Sequence, residues 1–292
     1  MNDDFTFIIQ GVYSPIHHEM ISSLKSFGKV ILSCYKNDYS KIEQQHLNFY
    51  DNIIFNELIE NPDQYGIYNH QNVYRQSYST LSGLKHVETK YAIKFRSDMY
   101  VSNIEYLLET VINNSQKLSI SPFTSDAYCM LSFGDQIVAG TKENLVNTYE
   151  TAYNFAKTIN FDDPSTYMYD DMDLRSGAEN FFSISHLKSK NLSLGYPVVV
   201  TYWMESFKRP NVKCYVNVGT NYETVILNNF FLFDTEKLWP YYYKSNAINH
   251  VYTEESCPQC GHSYTKKTCP HRPISIEDYI VKFKKLHNIH YV

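Results

Sequence analysis

Residues 72–101, NVYRQSYSTLSGLKHVETKYAIKFRSDMYV, join a helical pattern to a strand pattern with almost no spacer. Apolar side chains recur about one turn apart over residues 72–87, which predicts a helix with Asn72 as its N-cap. Residues 91–96, YAIKFR, form a short run rich in aromatic and β-branched side chains, which is typical of a strand. This unit predicts an α/β fold with right-handed crossovers.

Three more short runs, upstream of this unit, have the character of buried strands. They are FTFIIQ at residues 5–10, KVILSC at residues 29–34 and NIIFN at residues 52–56. Nearly continuous apolar runs of this length are typical of parallel strands that are covered on both faces. The sequence therefore predicts a mostly parallel sheet that is flanked by helices.

The second half of the chain continues with helical patterns. Apolar spacing predicts helices at residues 142–158, at residues 178–190 and from Ser275 onward, where Asp278 supplies the second half of a capping box. The acidic residues 162–173 predict a loop. Residues 224–233, TVILNNFFLF, fit either a strand or a buried helix segment, because their periodicity does not decide between the two.

Composition excludes several classes of protein. Of 292 residues, 43% are hydrophobic and 20% are charged, so we expect a compact, enzyme-sized protein rather than a disordered or fibrous one. No stretch approaches the ~20 apolar residues that span a membrane, and the start of the chain is acidic where a signal peptide would be basic. The net charge of −5 argues against binding along nucleic-acid phosphates. We expect a cytoplasmic protein without a transmembrane segment or a nucleic-acid partner.

Candidate ligand-binding residues lie at the ends of the predicted strands. In an open parallel sheet, ligands bind at the carboxyl ends of the strands, which here carry Gln10 and Gly11, Tyr35, and then Arg96 and Asp98. A carboxylate placed directly after a buried strand is positioned to hold a divalent cation against a diphosphate. The alternative for Asp98 is a turn or helix-capping residue.

The start of the helix that precedes this strand adds two candidates. Asn72 and Arg75 fall in its predicted first turn, where unpaired backbone N–H groups and the helix dipole favour anions. Arginine can also form a bidentate contact with phosphate oxygens. The alternative for Arg75 is a solvated surface side chain.

Residues 72–101, together with FTFIIQG at residues 5–11 and VILSCYK at residues 30–36, resemble the WavE lipopolysaccharide-synthesis family. The resemblance implies a nucleotide-sugar-dependent glycosyltransferase with a GT-A-like sheet, in which an arginine-bearing helix precedes the strand that carries a DxD motif. It implies that Asp98 corresponds to the end of that motif, which contacts metal and sugar nucleotide. It also implies that Arg75 and Gln76 lie near the donor.

The sequence departs from the family pattern at the first acidic position of the motif, because Arg96 and Ser97 precede Asp98. Two alternatives follow for the donor diphosphate. Either a second ligand for Mg²⁺ or Mn²⁺ comes from elsewhere in the chain, or arginine and lysine side chains neutralise the diphosphate directly.

Two further residues are assigned by the resemblance. SFGDQIVAG at residues 132–140 is similar to a segment that returns a strand beneath the acceptor site, so Asp135 is expected to face that site. Glu179 resembles the glutamate of a P-E-Q-type segment and is predicted as the general base, ahead of Asp171 or Asp173. The alternative for Glu179 is a first-turn carboxylate that favours the helix dipole. His186, seven residues later, is predicted to be structural.

Three of the six cysteines crowd into a short segment with two histidines. Cys257 and Cys260 form a C-x₂-C knuckle, and Cys269 and His271 complete a tetrahedral set, with His262 as a substitute ligand. Four protein ligands leave no open coordination position. The segment therefore predicts a structural zinc site.

These observations divide the chain into a GT-A-like domain at residues 1–252 and a zinc-knuckle segment with a C-terminal helix at residues 253–292. The predicted function is transfer of a sugar from a nucleotide-sugar donor to a glycan or lipid-linked saccharide, with peripheral membrane contact allowed. Two alternatives stay open at this point. One is a zinc-knuckle nucleic-acid-binding module on an α/β scaffold, and the other is a non-catalytic sugar-nucleotide-binding relative.

Overall fold

The computed structural model describes residues 4–13, 18–57, 68–101, 103–126, 131–158, 168–169, 172–173, 178–193, 215–218, 220–238, 240–242, 274–286 and 288–291. The strands in these residues are β1 (Phe5–Gln10), β2 (Lys29–Tyr35), β3 (Asn52–Asn56), β4 (Tyr91–Arg96), β5 (Met99–Val101), β6 (Leu118–Asp126), β7 (Ser132–Thr141), β8 (Met168–Tyr169), β9 (Met172–Asp173), β10 (Tyr215–Val218), β11 (Phe230–Leu232), β12 (Pro240–Tyr242) and β13 (Asn288–Tyr291). The helices are α1 (His18–Lys25), α2 (Gln44–Leu47), α3 (Tyr68–Leu84), α4 (Ile104–Asn113), α5 (Lys142–Thr158), α6 (Ala178–Ser189), α7 (Tyr222–Asn229), α8 (Thr235–Leu238) and α9 (Ile276–Leu286), with a 3₁₀ helix at Lys36–Lys41.

The central sheet has seven strands in the order β11-β6-β7-β4-β1-β2-β3. Strands β4, β1, β2 and β3 are parallel neighbours, as are β11 and β6, whereas β7 runs antiparallel to both β4 and β6. The four strands predicted from their apolar runs are confirmed, and β2 is one residue longer than predicted. The sheet is mixed and mostly parallel, with helices on both faces.

Two apolar cores cover the two faces of this sheet. Ile8 of β1 faces a core that is built with α3, α5, α6, α7 and α9. Phe7 and Ile9, on either side of Ile8, face a second core that is built with α1, α4 and α8. Because successive strand residues point to opposite faces, one apolar run supplies both cores.

Helix α3 lies unusually close to β1, and a glycine permits the contact. A Cβ atom placed on Gly83 would stand 2.7 Å from Cγ2 of Ile8, which is closer than real Cβ atoms approach a neighbour. The Oγ of Ser33 on β2 also donates to the main-chain oxygen of Ser79 at 2.6 Å. These contacts fix the C-terminal half of α3 on β1 and β2. They therefore set the distance between the sheet and the earlier residues of the helix.

The predicted start of this helix was wrong. Helix α3 begins at Tyr68, four residues before Asn72, so Asn72 lies inside the helix and is not its N-cap. Arg75 is consequently in the body of the helix rather than in its first turn. Residues 68–71, YNHQ, contain no glycine or proline, so nothing in the sequence stops the helix from extending backward past Asn72. The anion preference of a helix start does not apply to either residue.

Several downstream predictions are confirmed. Helix α5 has the predicted limits, α6 ends one residue earlier than predicted, and the backbone N–H of Asp278 donates to Oγ of Ser275 at 3.1 Å to cap α9. Residues 224–233 are not one element, because α7 ends at Asn229 and β11 begins at Phe230. Within the predicted loop at residues 162–173, the described residues form the short antiparallel pair of β8 and β9.

The C-terminal helix packs into the main core. Tyr279 and Phe283 of α9 are fully buried there, and the Tyr279 hydroxyl accepts from the backbone N–H of Leu131 at 2.7 Å. The predicted zinc ligands lie outside the described residues, and the division of the chain at residue 253 stays a prediction. Within the described ranges, no helix combines the length and the apolar character that a membrane span requires.

Candidate functional site

The carboxyl ends of β1 and β4 meet in a tight contact that only glycine allows. Gly11 has a φ of 128°, and a Cβ atom there would lie 2.6 Å from Oγ of Ser97. The backbone N–H of Ser97 donates to the main-chain oxygen of Gln10 at 2.8 Å. The backbone N–H of Gly11 donates to the main-chain oxygen of Ser33 at 3.2 Å. The chain that leaves β1 thus packs directly on the turn that follows β4, and it places Gln10 beside Arg96 in the parallel register.

Arg96 and Asp98 form a bidentate ion pair at this edge. Nε of Arg96 donates to Oδ1 of Asp98 at 3.0 Å, and Nη2 donates to Oδ2 at 2.6 Å. The two side chains are 27% and 23% exposed, so a ligand can reach the pair without unfolding the edge. The arginine that replaces the first acidic position of the motif therefore binds the carboxylate at its last position.

A bulge in β7 brings Asp135 to the same place. One step along β6, from Ile120 to Ser121, spans four residues of β7, from Val138 to Gly134, so the residues between them bulge out of the ladder. Oδ2 of Asp135 accepts from Nε2 of Gln76 at 2.7 Å, and Oδ1 lies 3.8 Å from Nη1 of Arg96. The bulge thus joins β7, β4 and α3 in one polar network.

Lys94 lies beneath this network, and the sequence analysis missed it as a site residue. Its side chain is fully buried, and Nζ donates to the main-chain oxygen of Asp135 at 2.5 Å. Burial and the neighbouring charge of Arg96 lower the pKa of Lys94 to about 8, although the attraction of Asp135 and Asp98 acts in the opposite direction. A lysine between the apolar residues of the buried strand YAIKFR was the available signal, since a buried charge requires a partner.

Asp135 is charged in spite of its burial. Burial alone would raise the pKa of this carboxyl, but the positive charges of Arg96 and Lys94 and the hydrogen bond from Gln76 together lower it. Two cations and two carboxylates therefore share this edge of the sheet. Their positive and negative charges are equal in number.

Three buried oxygens at this edge accept no hydrogen bond from any described residue. They are Oε1 of Gln10, Oε1 of Gln76 and Oδ1 of Asp135. Buried polar atoms are rarely left unsatisfied in native proteins, so such atoms indicate where water or a ligand supplies the missing donors. Each of the three is an acceptor, so a ligand that reaches them would bring O–H or N–H groups.

A second polar cluster follows β1 and β2. Asp38 is buried and accepts from the backbone N–H groups of Tyr13 and Tyr35, at 3.2 and 3.4 Å, and from Nζ of Lys41 at 2.7 Å. The hydroxyl of Tyr35 donates to the main-chain oxygen of Arg75 at 3.1 Å, and burial raises the pKa of that hydroxyl. Sequence reasoning missed Asp38, whose signal was its place in the polar turn directly after a buried strand.

The structure brings most of the predicted donor residues together. Gln10, Gly11, Gln76, Arg96, Asp98 and Asp135 lie in one network, and Tyr35 joins this edge through Arg75. Arg75 itself is half-buried on α3. The side chain of Asn72 lies outside the described residues.

The predicted general base lies on a different element. Glu179 is half-buried in the first turn of α6, where its main-chain oxygen accepts from Oγ of Ser183 at 2.9 Å, and α6 packs on α5 and β7. Of the competing carboxylates, Asp173 ends β9 and Asp171 is outside the described residues. His186 is a core residue: its Nδ1 lies 2.8 Å from Oγ1 of Thr148, and burial lowers its pKa to about 3.

The residues of this edge do not fit a divalent cation. Both carboxylate oxygens of Asp98 are engaged by Arg96, and one oxygen of Asp135 is engaged by Gln76. Among the described residues, no three His, Cys, Asp or Glu side chains converge as metal ligands would. Two neighbouring positive charges also oppose a cation here.

The part of the chain that carries most of these edge residues matches a known protein family. Residues 14–119 match the WavE lipopolysaccharide synthesis family. The match confirms the resemblance that the sequence motifs predicted, and it includes Tyr35, Arg75, Gln76, Arg96 and Asp98. The WavE match stops short of Asp135 and Glu179. No curated protein matches the chain.

Three solved structures are similar to the fold. The 4-diphosphocytidyl-2C-methyl-D-erythritol synthase from Anaerococcus prevotii is 18% identical over 56% of this chain and 81% of its own, with a TM-score of 0.37. TarS from S. aureus is 12% identical over 64% of this chain and 34% of its own, with a TM-score of 0.37. HddC from Yersinia pseudotuberculosis is 14% identical over 49% of this chain and 79% of its own, with a TM-score of 0.34. We infer no activity from these three similarities.

The lowered pKa of Lys94 makes folding stability depend on pH. The folded-state pKa of about 8 is below the ordinary 10.5, so the unfolded chain holds more protons between these values and stability rises with pH. We expect the free energy of unfolding of the wild type to gain on the order of 2 kcal/mol relative to Lys94→Met from pH 7 to pH 10. Urea unfolding at several pH values measures this difference, and equal pH profiles for the two proteins would contradict the prediction.

Proposed function

We propose that the protein is a nucleotide-sugar-dependent glycosyltransferase with a GT-A-like layout, which transfers a sugar to a hydroxyl of a glycan or lipid-linked saccharide. One observation carries the proposal. The partly exposed Arg96–Asp98 pair stands at the carboxyl edge of parallel strands, beside buried acceptor oxygens that lack donors among the described residues. The WavE match over residues 14–119 supports the class of acceptor.

The donor has two chemical parts, and the edge offers groups for both. A guanidinium matches the geometry of phosphate oxygens and stays charged at all physiological pH values, so Arg96 is assigned to the diphosphate. Sugar and ribose hydroxyls donate hydrogen bonds. The free oxygens of Gln10 and Gln76 are assigned to those donors.

The donor site is proposed to work without a divalent cation. Of the two alternatives that the sequence left open, neutralisation of the diphosphate by a positively charged side chain agrees with the arrangement of charges, because Arg96 is partly exposed at the edge and the two carboxylates are already engaged. Mg²⁺ or Mn²⁺ is therefore expected to leave donor affinity unchanged.

Glu179 is proposed as the general base of an inverting transfer. The acceptor oxygen would attack the anomeric carbon while the bond from that carbon to the diphosphate oxygen breaks, and the acceptor proton would pass to the Glu179 carboxylate. The nucleoside diphosphate leaves with the electron pair. Developing charge on the diphosphate would be stabilised by Arg96.

Donor binding is tested by thermal shift with UDP-, GDP-, CDP- and dTDP-sugars, each with EDTA or with Mn²⁺. A ligand that binds only the folded state raises the melting temperature, and we expect at least one nucleotide sugar to do so equally in both conditions. Arg96→Ala should lose the shift. Lys282→Ala is the matched control, because Lys282 is a similarly exposed cation in an ion pair with Asp278, and both of these residues lie on α9. A wild type that responds to none of these nucleotides would refute the proposed function.

Turnover is tested with donor hydrolysis and transfer in two variants. Asp98→Ala and Glu179→Gln should each lower the rate at least about 100-fold, while the donor-induced thermal shift of Glu179→Gln is retained. Asp278→Ala controls for the loss of a half-buried carboxylate from an ion pair and should keep full activity. Full activity of Asp98→Ala would contradict the proposal that Asp98 belongs to the donor site as the ion-pair partner of Arg96. Binding by the wild type without turnover would favour the non-catalytic relative.

We also propose the structural zinc site at Cys257, Cys260, Cys269 and His271. A closed set of four ligands would pin the segment before α9 to the domain. Elemental analysis of the purified protein should find about one zinc per chain. Cys257→Ser together with Cys260→Ser should remove the zinc, and Cys34→Ser, at a buried free cysteine of β2, should keep it. Full zinc content in the double variant would exclude this site.

A further inference from the structure

The charges at the carboxyl edge are balanced, and this balance bears on the diphosphate assigned above. Arg96 lies between the carboxylates of Asp98 and Asp135. On their own, these three groups would carry a net negative charge, which would repel the diphosphate from the guanidinium that is assigned to bind it. A second positive charge is required, and the described residues supply it from inside the sheet at Lys94.

The position of Lys94 matches that requirement. Its ammonium group is fully buried under the bulge of β7 and donates to the main-chain oxygen of Asp135. The carboxylate of the same Asp135 faces Arg96. Attraction to Asp135 and Asp98 and repulsion from Arg96 all act on it, so it shares the electric field of the edge. Burial weakens solvent screening, so one charge here changes the potential at the edge strongly.

A buried pair of charges is not a general requirement of a fold. Replacing such a pair as a whole by apolar side chains is often neutral or stabilising, whereas removing one partner leaves the other charge unpaired and lowers stability. Lys94 faces Asp135 in such a buried pair. A role in ligand binding accounts for the presence of this pair at the edge.

We propose that Lys94 is a positioning residue that cancels the charge of Asp135, so that Arg96 can accept the donor diphosphate. This inference rests on the proposed function, since it concerns the same donor site. Lys94 acts through Asp135 and Arg96 and does not touch the donor. At pH 7 the proposed state is populated, because a pKa of about 8 leaves Lys94 mostly protonated.

The test is a charge-balance cycle. The four proteins are the wild type, Lys94→Met, Asp135→Asn and the double variant, and the probe is the nucleotide sugar with the largest thermal shift, titrated calorimetrically at pH 7 with EDTA. Lys94→Met should weaken binding at least about tenfold, and its melting temperature should fall, because the buried charge of Asp135 loses a partner. Asp135→Asn should bind at least as tightly as the wild type. The double variant, in which Arg96 and Asp98 remain balanced, should recover binding to within about threefold of the wild type.

Lys190→Met is the matched control. Lys190 is a half-buried lysine at the end of α6 that donates to the main-chain oxygen of Gln116 and to Oδ1 of Asn229, and its loss should leave donor affinity unchanged.

The inference is overturned if Lys94→Met binds the donor like the wild type, or if the double variant binds no better than Lys94→Met. If Lys94→Met does not fold, the comparison of Asp135→Asn with the double variant decides, because charge balance requires the double variant to bind more weakly than Asp135→Asn. A wild type that binds no nucleotide sugar would instead overturn the proposed function, and this inference with it.

Discussion

Strand β7 runs against both of its neighbours, so its first residues lie beside the last residues of β4 and β6. Had β7 been parallel, Asp135 would lie at the opposite edge of the sheet from Arg96. The reversed direction brings the two together, and the bulge after Gly134 turns the main-chain oxygen of Asp135 to Lys94 and its carboxylate to Gln76. The polar network of the edge depends on this single reversal.

Strands β1, β2 and β4 were predictable because each is a short run that is buried on both faces, whereas β3 lies at the edge of the sheet and is mostly half-buried. Phe7, Ile8 and Ile9 show the reason: neighbouring residues enter different cores, so no polar position interrupts the run. The WavE motifs placed Arg96 and Asp98 at a strand end, and the strand register confirms that Arg96 ends β4 beside Gln10.

Other features of the edge depend on contacts between residues far apart in the chain. Lys94 and Asp135 are 41 residues apart, and no local pattern relates the bulge of one strand to a charge in another. Asn72 has the residue type of a helix cap, but residues 68–71 extend the helix before it. The preference of asparagine for a cap position therefore does not decide where the helix begins. Asp38 is similar: Tyr35 ends β2 and Tyr13 lies three residues after β1, and only the parallel pairing of β1 with β2 brings these two partners to one carboxylate.

The arginine at position 96 also explains how the charges of this edge can be neutral without a divalent cation. With a carboxylate there, as in the motif that this region resembles, Lys94 would face three negative charges, and the site would need two further positive charges to become neutral. A divalent cation supplies two. Replacing a carboxylate by a guanidinium changes the charge by the same amount, and it does so with a group that is tied covalently to β4 and held by Asp98. An arginine at position 96 thus adds the same charge to the site as a bound divalent cation would. Together with Lys94, it makes the positive charges equal to the negative charges of Asp98 and Asp135.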